Sequence, residues 1–210
     1  MSILRRPFRY SFVNTTLALI AINVAVFFLM AVTPLSRYYA YLALTVRGFV
    51  YYHCFWQPVT YMFVHSGMNH LFFNMLALLF FGLSVEKAIG SKEFLLLYLL
   101  TGTLCGVLSL ALYVLCGVPV ALVGASGAIY GILLAYAVIF PRSRIYVWWI
   151  IPVPAPILVL LYAVIELANQ FYGASGVAHL THLAGFAVAW LYFRIRMGIR
   201  PLQVWKDAYR

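Results

Sequence analysis

Ser126, His182, His70 and Asn74 are the side chains of this 210-residue sequence whose types and spacing suit acyl-transfer chemistry. Ser126 lies in Gly124-Ala125-Ser126-Gly127 and offers a hydroxyl nucleophile, which needs a neighbouring base to take its proton; His182, beside Thr181 and three residues before Gly185, is of the type that serves as that base. Attack on a carbonyl creates an oxyanion that needs preorganised hydrogen-bond donors. His70 and Asn74 stand four residues apart, so on a helix they project from one face. The backbone N–H of Ser126, at a helix N-terminus, is a further donor without an intrahelical partner.

These residues must be positioned by a chain that is 66% hydrophobic and 9% charged, with a mean hydropathy of +0.99. Soluble domains run near half apolar and a quarter charged, so an ordinary soluble domain is excluded. With about 20 apolar residues needed per span, the runs at 12–32, 68–86, 93–115, 124–141, 151–170 and 178–197 predict an all-α polytopic membrane protein, a single domain over residues 1–210 with six transmembrane helices. The first run exceeds the roughly 7–15 apolar residues of a signal peptide and reads as an uncleaved helix. Residues 34–63, rich in Tyr, Phe and Trp but interrupted by Arg37, Arg47 and His53, read as an interfacial loop. Glu86-Lys87, Gly117-Val118-Pro119, Pro141-Arg142 and Gly173-Ala174-Ser175-Gly176 break the runs. Trp148 and Trp149 look interfacial, and Pro152, Pro154 and Pro156 fit the start of the fifth helix better than its middle.

The net charge of +10 serves orientation rather than nucleic-acid binding, because the charges sit at the ends of apolar runs. Six spans put Arg5, Arg6, Arg9, Lys87, Lys92, Arg142, Arg144, Arg194, Arg196, Arg200, Lys206 and Arg210 on one side and only Arg37 and Arg47 on the other. The basic side is cytoplasmic and holds both termini. Measured from these charges at 1.5 Å per residue, His70 and Ser126 rise about 25 Å and His182 about 20 Å. All then lie in the outer half of a hydrocarbon core about 30 Å thick. Gly127/Gly131 on the fourth helix and Gly185/Ala189 on the sixth are small-residue pairs that permit a close crossing, which brings Ser126 within reach of His182. Cys54, Cys105 and Cys116 show no CxxC spacing and read as free thiols, with a Cys54–Cys116 bridge as the alternative.

Three segments resemble the rhomboid family of intramembrane serine proteases: His65-Ser66-Gly67-Met68-Asn69-His70-Leu71-Phe72-Phe73-Asn74-Met75, Gly124-Ala125-Ser126-Gly127-Ala128-Ile129-Tyr130-Gly131, and Ala178-His179-Leu180-Thr181-His182-Leu183-Ala184-Gly185. The similarity extends over roughly residues 12–197. It implies Ser126 as nucleophile, His182 as general base, and His70 and Asn74 in the oxyanion hole. Tyr130 would lie against the ring of His182, with Gly124 and Gly127 shaping the turn around the serine. Glu86 in Gly82-Leu83-Ser84-Val85-Glu86-Lys87 also resembles the family and reads as structural. The family's Trp-Arg pair in the first loop is not evident, Trp56-Gln57 standing before the second helix. Glu166 inherits no role, and His65 and His179 read as structural partners of nearby polar groups.

The implied activity is hydrolysis of peptide bonds in or beside transmembrane segments by a Ser126/His182 dyad, without cofactor or metal. Its partners would be membrane-protein substrates and the lipid bilayer, with no nucleic acid. The expected location is a bacterial inner membrane, with the site opening to the outer side and the fifth helix and the loop before the sixth as the gating region. Two other readings stay open: an inactive rhomboid-like binder of membrane clients, and a metal or proton carrier built on His65, His70, His179 and His182. H-E-x-x-H is absent and Asp207 is the only aspartate, which excludes the zinc and paired-aspartate routes.

Overall fold

The computed structural model describes residues 7–32, 34–117, 119, 121–147, 150–172 and 176–210. Arg5, Arg6, Val118, Trp148, Trp149 and the 173–175 part of the fifth break lie outside the described residues. The chain is a mostly helical polytopic membrane bundle. Its elements are α1 (Thr15–Val32), α2 (Met68–Ile89, with a π-helical segment over Leu78–Gly82), α3 (Ser91–Cys116), α4 (Ser126–Ile139), α5 (Ala155–Tyr172), α6 (Gly176–Ile195) and α7 (Pro201–Ala208). Among the described residues, α1, α2 and α3 are long and apolar enough to cross a membrane.

α4 occupies the centre and packs against α2, α3, α5 and α6. Ten of its 14 residues are buried, which accounts for a helix apolar all round. At 1.5 Å per residue α4 is only about 21 Å long, shorter than the roughly 30 Å hydrocarbon core. Ser126 at its first position is therefore reached by non-helical chain. Backbone of that kind is tolerated at depth only where protein covers it. Here β2 (Ala121–Leu122) pairs antiparallel with β1 (Leu44–Thr45), and Gly124 N–H donates to the carbonyl of Tyr61 at 2.9 Å.

The loop at 34–63 is folded rather than merely interfacial. The side chain of Gln57, fully buried, donates to the carbonyls of Ala40 at 2.9 Å and Tyr41 at 3.4 Å and accepts from the Thr45 N–H at 3.2 Å. Trp56 donates its indole N–H to the Tyr41 carbonyl at 2.8 Å, and Tyr61 donates its hydroxyl to the Gly102 carbonyl of α3 at 2.7 Å. At the opposite end of the bundle, Glu86 accepts the N–H groups of Thr15 at 2.6 Å and Thr16 at 2.8 Å, satisfying two orphan donors of α1. Glu93 is held by Arg196 at 2.6 and 3.0 Å and by the hydroxyl of Tyr192.

Two elements differ from the sequence expectation. The fifth helix begins at Ala155 rather than 151, because Ile151–Pro154 is a strand (β4) paired antiparallel with Arg144–Val147 (β3). Pro152 and Pro154 lack the N–H that a helix interior requires, and a two-stranded ribbon has only edge strands, where proline is tolerated. Residues beyond 197 form α7, opened by Pro201 at its first turn. Trp205 of α7 donates to the Ala137 carbonyl at 2.9 Å and Tyr209 to the Pro141 carbonyl at 2.7 Å, closing the C-terminal end of α4. Cys54, Cys105 and Cys116 are free thiols.

Candidate active site

Ser126 opens α4 and His182 lies within α6, and the Ser126 Oγ is 2.8 Å from Nε2 of His182. Both side chains are half-buried. Their approach depends on Gly185, one turn beyond His182: a Cβ there would fall 2.3 Å from the carbonyl oxygen of Gly127 and 3.1 Å from Cβ of Tyr130. The two small-residue pairs do not meet as one seam. Gly127 faces Thr181 of α6 and Cys105 of α3, whereas a Cβ on Gly131 would meet Thr101 of α3 at 2.5 Å. α4 is thus pinched between α3 and α6. Thr181 reinforces that packing through a 2.6 Å hydrogen bond with Ser109 of α3.

The ring of Tyr130 stacks on the imidazole of His182 with centroids 4.2 Å apart and planes within 6°. The other face of the site is formed by α2. Gly124 has φ +107, and a Cβ on it would lie 2.6 Å from Nε2 and Cε1 of His70, so glycine is required both for its conformation and for room. The imidazole thereby lies against the turn that enters Ser126, with Nδ1 hydrogen-bonded to Ser66 Oγ at 3.0 Å. Asn74, buried one turn further along, donates one amide hydrogen to the His70 carbonyl at 2.7 Å, leaving its second for another acceptor.

One member of the cluster has no assigned role in the sequence reading. Glu166 of α5 is buried, lies 2.9 Å from His182 Nδ1 and 2.6 Å from His179 Nδ1, and accepts the hydroxyl of Tyr130. The signal was present in the spacing. Glu166 is six residues before the end of α5, and His182 is six residues after the start of α6, so consecutive helices place them at similar depth. An acid within an apolar helix is also a functional candidate by default. One potential ligand atom from each of Glu166, His179 and His182 lies within 4.8 Å of the other two, a set that could also hold a metal ion. His65 stays apart from this group, its ring 5.1 Å from that of His70.

Comparison with known proteins identifies the family. The Rhomboid domain model matches residues 52–198, a stretch that includes α2 to α6. The chain is 32% identical over 151 residues to RHOMBOID-like protein 4 of Arabidopsis thaliana, covering 71% of this chain and 36% of that protein. Rhomboid protein 1, mitochondrial, of Saccharomyces cerevisiae is 30% identical over 188 residues, 85% of this chain and 52% of its own length. Rhomboid protease GluP of Bacillus subtilis is 46% identical over 78 residues, 37% of this chain and 14% of GluP. The chain therefore spans about half or less of the length of the curated relatives it matches. On the domain match and these identities, the chain belongs to the rhomboid family.

Proposed function

We propose that this chain is an intramembrane serine endopeptidase that cleaves peptide bonds in or next to the transmembrane segments of membrane proteins. The observation that carries the reading is the 2.8 Å contact between Ser126 Oγ and His182 Nε2. His182 Nε2 takes the hydroxyl proton as Ser126 attacks the carbonyl carbon, and the same proton then passes to the leaving amine. His70, the free amide hydrogen of Asn74 and the Ser126 N–H are the donors for the oxyanion. Water then gives a proton to His182 Nε2 as it attacks the acyl carbon, and that proton passes to Ser126 Oγ as the acyl–oxygen bond breaks. A substrate helix must unwind locally, since its peptide bonds are otherwise occupied by intrahelical hydrogen bonding.

The reading carries six spans with both termini on the basic, cytoplasmic side and the site toward the opposite face. Relatives named as mitochondrial stand beside bacterial ones. The proposal is accordingly about topology, and a bacterial inner membrane is not carried with it.

A metal-binding reading gains one observation: the carboxylate absent from the histidine-bearing helices is supplied by Glu166 of α5. Two measurements separate the readings. In the protease, a fluorophosphonate labels wild type and not Ser126→Ala, and co-expressed single-span reporters are cut only by wild type, with or without chelator. Absence of serine-dependent labelling and cleavage in folded protein sinks the protease reading in favour of a client binder. Chelator-sensitive function that survives Ser126→Ala favours the metal.

A further inference from the structure

Glu166 is a buried acid with three polar partners and no task in a two-residue mechanism. Oε1 lies 2.9 Å from His182 Nδ1 and accepts the Tyr130 hydroxyl, and Oε2 lies 2.6 Å from His179 Nδ1. An ionised carboxylate only accepts hydrogen bonds, so the imidazole nitrogens that face it carry the proton. In His182 this makes Nε2 the lone-pair nitrogen, and Nε2 is the atom 2.8 Å from Ser126 Oγ. The residue from α5 thus fixes which end of the imidazole is basic.

We infer that Glu166 is the positioning carboxylate of a Ser126–His182–Glu166 triad, held in place by His179 and Tyr130; the inference rests on the protease reading above. Glu166 keeps His182 in the tautomer that can accept the serine proton. When Ser126 attacks, the proton moves from Oγ to Nε2 and leaves an imidazolium whose Nδ1–H still points at the carboxylate. Glu166 stays ionised throughout and stabilises that cation. His179 fixes the second oxygen, so the carboxylate cannot swing away from His182 without giving up another hydrogen bond. Tyr130 both stacks on the imidazole and donates to the same Oε1, locking ring and carboxylate as one unit.

The test measures reporter cleavage across pH by purified full-length wild type, Glu166→Gln and Glu166→Asp in lipid vesicles. Glutamine keeps the shape but offers one oxygen and one NH2 group to three donors, so at least one imidazole must change tautomer or lose its partner. The expected result is a fall in kcat of about 10²-fold with KM nearly unchanged, given that a lost triad carboxylate can cost more still. The acidic limb of the pH–rate profile should also move to lower pH, because protonating the imidazole no longer gains a neighbouring anion. Aspartate, which retains the charge, restores the limb while part of the rate loss persists. Glu166→Gln with wild-type kcat and an unmoved limb overturns the assignment. Should glutamine prevent folding, nitrogen-15 histidine NMR of wild type decides: a proton on Nδ1 of His182 supports the triad, and one on Nε2 with Nδ1 bare overturns it. Failure of wild type to cleave or to take a fluorophosphonate counts against the protease reading itself, whereas an active wild type with an indifferent Glu166→Gln removes only the triad.

Discussion

Gly185 of α6 lies so close to Gly127 of α4 that a Cβ on it would fall 2.3 Å from the Gly127 carbonyl oxygen. That backbone cannot yield the way a flexible side chain could, so any larger residue must push the helices apart. Gly185→Val should cost about 1–3 kcal/mol, the usual range for overpacking. The larger effect is on chemistry, because His182 is one turn away and a misplacement near 1 Å costs about 10²-fold. Fluorophosphonate labelling of Ser126 and thermal unfolding in detergent, measured together, check this. Gly67→Ala, where nothing lies within 4 Å of the added methyl, should leave both unchanged.

Gly124 makes the second demand on glycine. Its φ of +107 disfavours any L side chain, and His70 occupies the space a Cβ would need. Gly124→Ala should combine roughly 1–2 kcal/mol of backbone strain with displacement of His70. The variant is expected to remain folded at low temperature but to cleave poorly. Normal cleavage by Gly124→Ala would show that the His70 position is not needed.

His70 and Asn74 are expected to act on the oxyanion rather than on binding. Removing either donor should lower kcat about 10²–10³-fold and leave KM within a few-fold. His70→Ala and Asn74→Ala, assayed for kcat and KM separately on one reporter, test this. A rise in KM alone would assign these residues to substrate binding instead.

The candidate site was legible because its parts are polar residues in apolar helices, where each is costly and stands out. Composition and hydropathy were enough for the membrane class, and the small residues around Ser126 and His182 pointed to a close crossing. That Gly127 faces both α6 and α3 while Gly131 faces α3 was not legible, since a small-residue pair names no partner. The pairing of β3 with β4 was hidden by apolar residues that suit a helix start as well as a strand. Glu166 was visible as an acid but not as a neighbour of His182. Periodicity within one helix does not give its rotation against the next. Gln57, a neutral polar residue in an aromatic loop, carried no signal of its own.

His65 provides a pH test outside the membrane-spanning helices. Burial, aided by the nearby ring of His70, pushes its pKa down to about 4 from 6.5, against a smaller opposing effect of the Phe63 carbonyl. The unfolded chain therefore binds the proton more readily, and the resulting loss of stability sets in as pH falls below about 6.5 and grows until about 4. Thermal unfolding of wild type should become easier between pH 7 and 4.5, and His65→Gln should show a smaller change over the same interval. His65 should not contribute a limb to the cleavage profile between pH 6 and 8. An identical pH response in the two proteins would remove His65 as a source of acid sensitivity.

Gln57 gives the last prediction. Its side chain is completely buried and supplies both donors and acceptor to the loop backbone at Ala40, Tyr41 and Thr45. Gln57→Leu is close in size but leaves the Ala40 carbonyl and the Thr45 N–H without this partner. Each buried unsatisfied group costs about 1–3 kcal/mol, so the melting temperature should drop clearly. The same loop holds β1 against β2, and β2 leads through Gly124 into Ser126. The loss should therefore reach the site, lowering the rate of Ser126 labelling even at temperatures where the protein remains folded. A stability loss with an unchanged labelling rate would mean that the loop supports the fold but does not position the serine.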